Sequence, residues 1–202
     1  LQNVSNYAHT RDDIVSLSIQ NLISKNPEYE NLILFISMVD SQNIPKNLLV
    51  KHANNTVATN LLRDLQKVAL ISMDKNNLGD VTFSLHRAIQ PIMLRYLIHK
   101  LQLNSDSSQI EDIINTIESY ISTEISNGSL AKSLIVHLES LLKNKTILNE
   151  LMLIRIQKEL GNCYRLVGQY EDAAKLLTKS LEFYTQYKGK NNIETAKVQE
   201  YL

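Results

Sequence analysis

Cysteine, glycine and proline are scarce in this chain, and tryptophan is absent. The single cysteine, Cys163, excludes an internal disulfide, so packing and hydrogen bonds have to hold the fold. Five glycines and three prolines leave few positions at which a helix is forced to stop, and alternating apolar patterns are also few. We therefore expect a mainly α-helical fold, with Cys163 as a small buried apolar residue.

Net charge and long apolar runs are missing as well. The 21 basic and 21 acidic side chains balance, so no overall field attracts nucleic acid or a membrane surface. No apolar stretch approaches 18 residues, and the first residues are not typical of a signal peptide. These features favour a cytoplasmic protein without membrane contact. The balance is not uniform along the chain: residues 101–140 carry 1 basic and 6 acidic side chains, whereas residues 141–202 carry 10 and 7.

Patterns that would indicate catalysis or metal binding are not found. None of the five histidines pairs with another at the i+4 spacing, and no cluster of histidine, cysteine and carboxylate has metal-ligand spacing. Acidic pairs such as Asp12–Asp13 and Glu171–Asp172 lie at helix starts or on polar faces, where they stabilise helices. We expect neither a metal site nor an enzyme within these 202 residues.

The most informative pattern lies near the C-terminus, where small and aromatic residues recur at fixed spacings. Its members are Gly161, Tyr164, Gly168, Ala173 and Leu177. The pattern is similar to the tetratricopeptide (TPR) repeat. The resemblance implies a helical hairpin over residues 154–186, in which Gly161 and Ala173 form a close crossing. Tyr164 and Leu177 would be buried beside that crossing, and Gly168 would end the first helix in the left-handed conformation.

The pattern departs from the TPR family at Gln157, Ser180 and Thr185, where a large aromatic residue, alanine and proline are usual. Residues 194–202 resemble the opening of a next repeat. If Leu202 corresponds to Leu160, the period is 202 − 160 = 42 residues, as in repeats of the kinesin-light-chain type, and the chain would be a fragment that stops within a repeat. An ordinary amphipathic hairpin is the alternative.

Residues 1–103 predict several helices followed by a β-hairpin. The expected helices begin at a Thr10 cap, at Asn26–Glu28, at Ile44–Pro45 and near residue 55. Two β-rich segments, 68–73 and 80–85, flank a turn-rich stretch at 74–79 and indicate the hairpin. A further helix is expected from His86 to Leu101, with a kink at Pro91.

The segment from Phe83 to Gln90 (FSLHRAIQ), together with Ile44–Leu49 and Leu61–Leu70, resembles the winged helix of NB-ARC and related STAND signalling ATPases. In that family the winged helix follows the nucleotide-binding core. The resemblance implies that His86 approaches the β-phosphate of ADP bound to an upstream nucleotide-binding domain. Arg87 replaces the acidic residue of the plant-type motif.

No nucleotide cofactor is expected on this chain itself. Its only Gly–Lys pair, Gly189–Lys190, lacks the preceding glycine and the following Ser or Thr of a phosphate-binding loop. The resemblance therefore implies that ATP or ADP binds the upstream domain of a longer protein.

In TPR proteins the first helix of each hairpin forms the concave face, at positions set by its packing glycine. Counted from Gly161, the resemblance implies a candidate peptide-binding stripe, which consists of Arg155, Lys158, Asn162 and Arg165. Spacings of three and four residues put them on one helical face. An asparagine can bind a peptide backbone, and cations beside it favour carboxylates. We predict a concave groove selective for an acidic peptide or a C-terminal carboxylate. A solvated helix face remains the alternative.

DNA binding is disfavoured because the helix before the predicted wing carries Asp64 beside Arg63 and Lys67. The preferred interpretation has three parts: a winged-helix domain at 1–103, a helical spacer at 104–145 and the start of a TPR α-solenoid at 146–202. Its expected function is the regulatory and sensor portion of a STAND-type NTPase that binds a protein ligand through its TPR groove. A plain TPR adaptor and a winged-helix transcription regulator are the alternatives.

Overall fold

The computed structural model describes residues 2–75, 79–125 and 128–202. Within those residues the chain forms ten α-helices, three short strands and one 3₁₀ turn. The prediction of a mainly α-helical class with a small antiparallel sheet is confirmed. The chain divides into two compact units, Leu1–Leu103 and Asn104–Leu202.

The first unit combines five helices with a small sheet. Its elements in order are α1 (Gln2–Lys25), α2 (Tyr29–Met38), β1 (Ile44–Pro45), α3 (Lys46–His52), α4 (Asn55–Lys67), β2 (Ile71–Lys75), β3 (Val81–Leu85) and α5 (Gln90–Leu101). The sheet is antiparallel with the order β1-β3-β2, and Ile71 pairs with Leu85 in the β2–β3 hairpin. The predicted turn at 74–79 lies partly outside the described residues.

Three details of the first unit differ from the sequence prediction. Helix α1 runs through Thr10, which is therefore not a cap, because no glycine or proline interrupts residues 2–10. Ile44 and Pro45 do not begin a helix; they form β1, in which Ile44 pairs with Phe83. Helix α5 begins at Gln90, so Pro91 lies in its first turn, where a missing N–H removes no helical hydrogen bond.

Helix α2 forms the centre of the first unit and is apolar on every side from Leu32 to Ile36, as expected of a helix that neighbours surround. Residues 32–36 are all almost completely inaccessible to solvent, and α2 packs against α1, α3, α4 and α5. Gln90 completes its C-terminal end: the side-chain Nε2 donates to the carbonyl oxygens of Ile36 at 3.1 Å and Val39 at 2.5 Å. The last residue of the Phe83–Gln90 segment thus satisfies carbonyls that a helix end leaves without partners.

A buried carboxylate connects three helices of the first unit. Asp64 on α4 accepts hydrogen bonds from Lys25 Nζ at 2.6 Å, Tyr29 Oη at 3.3 Å and Lys67 Nζ at 3.3 Å. The hydrogen bond from Lys25 holds the pKa of the Asp64 carboxyl below its ordinary value, although burial opposes the shift. The ionised form of Asp64 is therefore the form that stabilises the fold.

The second unit is built from five helices. They are α6 (Ser108–Glu124), α7 (Gly128–Leu142), α8 (Glu150–Leu166), α9 (Tyr170–Lys188) and α10 (Ile193–Tyr201), with a 3₁₀ turn at Lys145–Ile147. Helix α8 packs against all four of the other helices. Asparagine side chains begin two of them: Asn149 accepts from Met152 N and Asn192 accepts from Glu194 N, both at 2.9 Å.

Across the residues described, none of the helices combines the length and the apolar character that a membrane span requires.

The Asp64 cluster predicts a specific loss of stability in acid. Because the folded-state pKa of Asp64 lies below its ordinary value, its contribution is present above about pH 4 and disappears as the pH falls through the folded pKa. Asp64→Asn should lower the free energy of unfolding by about 1–3 kcal/mol at pH 7 and by less at pH 3. Urea unfolding at both pH values measures this, with Asp13→Asn at an exposed position of α1 as the control. Equal losses at both pH values would contradict the prediction.

Candidate protein-binding cleft

The predicted close crossing lies between α8 and α9. A Cβ atom added to Gly161 would be 2.8 Å from Leu177 Cγ and 3.4 Å from the carbonyl oxygen of Ala173, closer to the leucine than real contacts allow. Ala173 and Leu177 are 3% and 1% exposed. Gly168 has φ +81° and ends α8, a conformation that glycine adopts without strain. The helical hairpin and its crossing are therefore present where the sequence pattern predicts them.

Tyr164 differs from the prediction because it is half-buried. It packs against the cluster that contains Leu177, but its hydroxyl donates a 2.6 Å hydrogen bond to Glu139 Oε1 on α7. Burial, followed by this bond to Glu139, raises the pKa of the Tyr164 hydroxyl to about 12. The phenol thus connects α8 with α7 as well as filling space beside the crossing.

Two small residues beside the crossing are fully buried. Cys163 is inaccessible to solvent, and burial together with nearby Glu159 raises the pKa of its thiol to about 12, which keeps it protonated. Ser180, which stands where a TPR usually has alanine, donates its hydroxyl to the carbonyl oxygen of Leu176 at 2.9 Å. The hydroxyl is satisfied within its own helix, so serine fits an alanine-sized space.

Alternate helices of the second unit form the walls of a cleft of about 560 Å³, which we call the α8 cleft. Helices α6, α8 and α10 supply most of the lining of this cleft, and α9 adds two residues from its C-terminal part. The lining side chains are Glu111, Asn115, Glu118, Ser119 and Ser122 from α6, Leu151, Arg155, Lys158 and Glu159 from α8, Tyr184 and Lys188 from α9, and Glu194, Lys197 and Tyr201 from α10.

The predicted four-residue stripe divides between two environments. Arg155 and Lys158 line the α8 cleft, whereas Asn162 and Arg165 are not among its lining residues. Asn162 is buried and accepts a 2.8 Å hydrogen bond from Arg165 Nη2. The Arg165 guanidinium also lies 5.6 Å from the ring centroid of Tyr201. Asn162 and Arg165 therefore bind each other, and Arg165 also contacts Tyr201, within the second unit.

Lys158 is the most buried cation of the cleft, at 4% exposure. Its Nζ lies 3.0 Å from Glu194, 3.1 Å from Glu159 and 3.4 Å from Glu118. Burial alone would lower the pKa of this ammonium, but the three carboxylates outweigh burial and raise it. Lys158 is thus charged; it donates a hydrogen bond to Glu194 and forms ion pairs with Glu159 and Glu118.

Arg155 is paired in the same way with α6. Its Nη2 lies 2.5 Å from Glu118 Oε2 and 2.6 Å from Asn115 Oδ1, and its Nη1 contacts Glu111. Burial opposes the charge, while Glu118 and Glu111 raise the pKa of the guanidinium. Selectivity of the cleft for an acidic peptide stays a prediction. What the structure adds is that α6 brings carboxylates opposite Arg155 and Lys158, so these two cations are already paired within the unit.

The carboxylates of the cleft are not equivalent. Burial raises the pKa of Glu159, and the attraction of Lys158 only partly offsets it. Burial also acts on Glu194, but hydrogen bonds from Lys158 and Lys197 outweigh it and lower the pKa of that carboxyl. The sequence shows the acidic excess of residues 101–140 but not which carboxylates meet Lys158, because the local patterns of α6, α8 and α10 do not specify how these helices face one another.

His86, the predicted nucleotide-sensing residue, is exposed at the end of β3. Its Nδ1 accepts a hydrogen bond from Ala88 N at 3.3 Å, and its carbonyl oxygen accepts from Ile89 N at 2.8 Å. It therefore organises the turn that leads into α5. His86 and Arg87 also border a surface pocket of about 450 Å³. A contact of His86 with a nucleotide stays a prediction.

Neither metal-ligand geometry among the described residues nor similarity to known proteins assigns a function to the chain. Among the described residues, no group of three or more histidine, cysteine or carboxylate side chains could hold a metal ion. Comparisons with family models, curated proteins and solved structures found no match to this chain. The α8 cleft is therefore interpreted from its own geometry and chemistry.

The crossing at Gly161 predicts a steep dependence on side-chain size at residue 173. Ala173→Met should overpack the α8–α9 contact and lower the free energy of unfolding by about 1–3 kcal/mol. Ala174→Met, at the exposed neighbouring position, should change it by no more than about 0.5 kcal/mol. Urea denaturation of both variants measures the difference. Similar stabilities for the two variants would contradict the close crossing.

The carboxylates around Lys158 predict a large penalty for removing its charge. Lys158→Met leaves those acids without their central cation and should cost about 3–5 kcal/mol at pH 7. The penalty should shrink towards pH 4, because the unpaired carboxylates then take up protons in the folded state. Lys175→Met, at an exposed surface pair with Glu171, is the control and should leave the free energy of unfolding almost unchanged. A small, pH-independent loss in Lys158→Met would show that the cluster does not stabilise the unit.

Proposed function

We propose that the second unit is a TPR-like protein-interaction module and that its α8 cleft binds a segment of a partner protein. The observation that carries this proposal is the alternation of the lining helices: α6, α8 and α10 form the inner wall, and α9 lies between two of them in the chain. Stacked helical hairpins produce this arrangement because the first helix of each hairpin faces the concave side.

The packing of α10 also supports a repeated unit. Val198 on α10 joins Ile154 of α8 and Leu177 and Tyr184 of α9 in one buried cluster. Helix α10 thus covers the α8–α9 hairpin in the position that the next repeat would take in a solenoid, since each repeat buries its apolar face against a neighbour.

For the first unit we propose a winged-helix module in the regulatory and sensor portion of a STAND-type signalling NTPase. The succession α2-β1-α3-α4-β2-β3 supports this, because three helices and a three-stranded sheet with a terminal hairpin have the order of a winged helix. In this proposal the second unit binds the protein ligand and the first unit relays that event to an upstream domain that binds ATP or ADP. The exposed position of His86 is compatible with contact with that domain.

A plain TPR-like adaptor without nucleotide chemistry is the second candidate. It is favoured by the local hydrogen bonds of His86, which give this residue a role in the turn before α5 without any nucleotide. The coding sequence upstream of residue 1 discriminates between the two candidates. A phosphate-binding loop there supports the signalling NTPase, and its absence supports the adaptor.

A DNA-binding role gains little support from α4. Arg63 Nη2 donates to Asn60 at 3.0 Å, and Lys67 pairs with Asp64 at 3.3 Å. Both cations are therefore engaged within their own helix, whereas phosphate binding depends on several free positive charges.

The interaction proposal predicts that peptides selected on this chain bind the α8 cleft. A displayed library of unstructured 12-residue peptides, of about the length that a short groove accommodates, should yield binders to the 202-residue chain. Ser119→Tyr places a bulky side chain in the cleft and should weaken their binding at least about tenfold. Ser108→Tyr, at an exposed position of the same helix outside the cleft, should leave it unchanged. Equal binding by both variants would exclude the cleft as the binding site.

A further inference from the structure

We infer that the outer edge of strand β2 binds an extended segment of a partner protein by strand addition, and that this segment carries an acidic side chain beside Arg87. The inference concerns the first unit and does not depend on the α8 cleft. Three features carry it: β2 is an edge strand, its first residues direct backbone groups away from the sheet, and a pocket lined by Arg87 lies beside them.

Strand β2 is the longer of the two edge strands of the sheet. The order β1-β3-β2 leaves one side of β2 without a neighbouring strand, and β2 has five residues. Strand β1, at the opposite edge, has only two residues, one of which is Pro45. An open edge exposes N–H and C=O groups with which another chain can pair, so β2 is the edge that can accept a further strand.

The hydrogen bonds of β3 show which backbone groups of β2 point outwards. In an antiparallel pair, residues that bond the partner strand alternate with residues whose N–H and C=O groups point away from it. Leu85 N–H donates to Ser41 O at 2.7 Å, and Leu85 O accepts from Gln42 Nε2 at 3.0 Å, so both groups point away from β2. Ile71 is paired with Leu85, and therefore the N–H and C=O groups of Ile71, and of Met73 two residues on, point to the outer edge.

These outward groups are open in the part of the chain that the structure describes. No hydrogen bond there engages the backbone N–H or C=O of Ile71 or Met73. Lys75 N–H, farther along the same edge, is already bound to Asp74 Oδ1 at 2.7 Å, and two charged side chains make that end of the strand unfavourable for pairing. Strand addition is therefore expected at 71–73, where N–H and C=O groups can bind an extended backbone.

A pocket of about 450 Å³ beside this edge determines the side chain that the added segment should carry. Ser72 and Ser84, which are paired across the hairpin, line the pocket together with Arg87. Arg87 is exposed, it has no ion pair among the described residues, and no carboxylate is among the residues that line the pocket. Neighbouring strands lie about 4.8 Å apart, and directly opposite side chains share a face. A carboxylate opposite Ser72 on an added strand can therefore reach the Arg87 guanidinium.

The test is an NMR titration of the 202-residue chain with three blocked peptides of one length. The first is acetyl-Thr-Val-Glu-Val-Thr-amide, and the second has lysine in place of glutamate. The third has the side chains of the first but is N-methylated at its three central residues, so it lacks the N–H donors that strand addition requires.

The glutamate peptide should give saturable chemical-shift changes at Ser72 and Ser84 and should slow amide hydrogen exchange at Ile71 and Met73. The lysine peptide should bind at least about twofold more weakly, because Arg87 repels it. The N-methylated peptide should cause neither change. Raising the salt concentration should reduce the difference between the glutamate and lysine peptides, since that difference arises from charge.

Amide exchange in the free chain checks the open edge itself. The N–H groups of Ser72 and Asp74 face β3 and should exchange slowly, because they are bound within the hairpin. Those of Ile71 and Met73 should exchange faster, because they face outwards without a partner.

Two pairs of variants identify the interactions. Met73→Pro removes an outward N–H without removing a bond to β3, so it should prevent binding of the glutamate peptide, whereas Met73→Val keeps the N–H and should bind it. Arg87→Gln should weaken the glutamate peptide about two- to fivefold. Arg11→Gln makes the same substitution at an exposed position of α1 outside the pocket and should have no effect. Thermal unfolding of all four variants checks the fold; should Met73→Pro not fold, the N-methylated peptide tests the same hydrogen bonds on the unaltered chain.

Several results would overturn the inference. Equal binding of the glutamate and N-methylated peptides, or no binding of the glutamate peptide at all, would exclude strand addition. Unchanged binding in Arg87→Gln would refute the acidic preference. Exchange at Ile71 and Met73 that slows with rising protein concentration, without any peptide, would assign the edge to a second copy of the chain. The proposed function of the α8 cleft is judged separately, by whether Ser119→Tyr weakens the library-selected peptides.

Discussion

The second unit depends on the close approach of α8 and α9 at Gly161. The missing side chain at this residue lets Leu177 and the backbone of Ala173 lie directly against α8. Because the two helices are this close, Val198 of α10 can pack on the same cluster and extend the stack. Helix α10, one wall of the α8 cleft, is thus positioned by the α8–α9 hairpin.

Charge pairing determines the chemistry of the inner wall of the α8 cleft. Helix α6 brings Glu118 against Arg155 and Lys158. Burial makes unpaired charges expensive in such a site, so the cations and carboxylates stabilise one another. These two cations of α8 are therefore paired within the unit, which the sequence of α8 taken alone does not indicate.

In the first unit, a few polar side chains hold the apolar central helix α2 in position. Helix α2 is surrounded by other elements, so it offers no polar face through which its orientation could be specified. Gln90 binds its C-terminal carbonyls, and Asp64 binds Tyr29 in its first turn. These few directional contacts hold α2 in register with α4 and α5, because buried hydrogen bonds are costly to leave unmade.

The sequence by itself determined the helical class, the β-hairpin, and the α8–α9 hairpin with Gly161 and Ala173 at its crossing. Those features depend on helix periodicity, breakers and small residues within a short segment, and the chain carries them locally. It did not determine that Ile44 joins the sheet, because strand pairing with Phe83 is a contact between distant residues. Nor did it determine the state of the predicted stripe. Only the tertiary structure places Glu118 and Glu194 beside Lys158 and Arg165 beside Asn162. The reason is that the sequence specifies which side chains are charged, whereas the packing of the helices determines which of them form pairs.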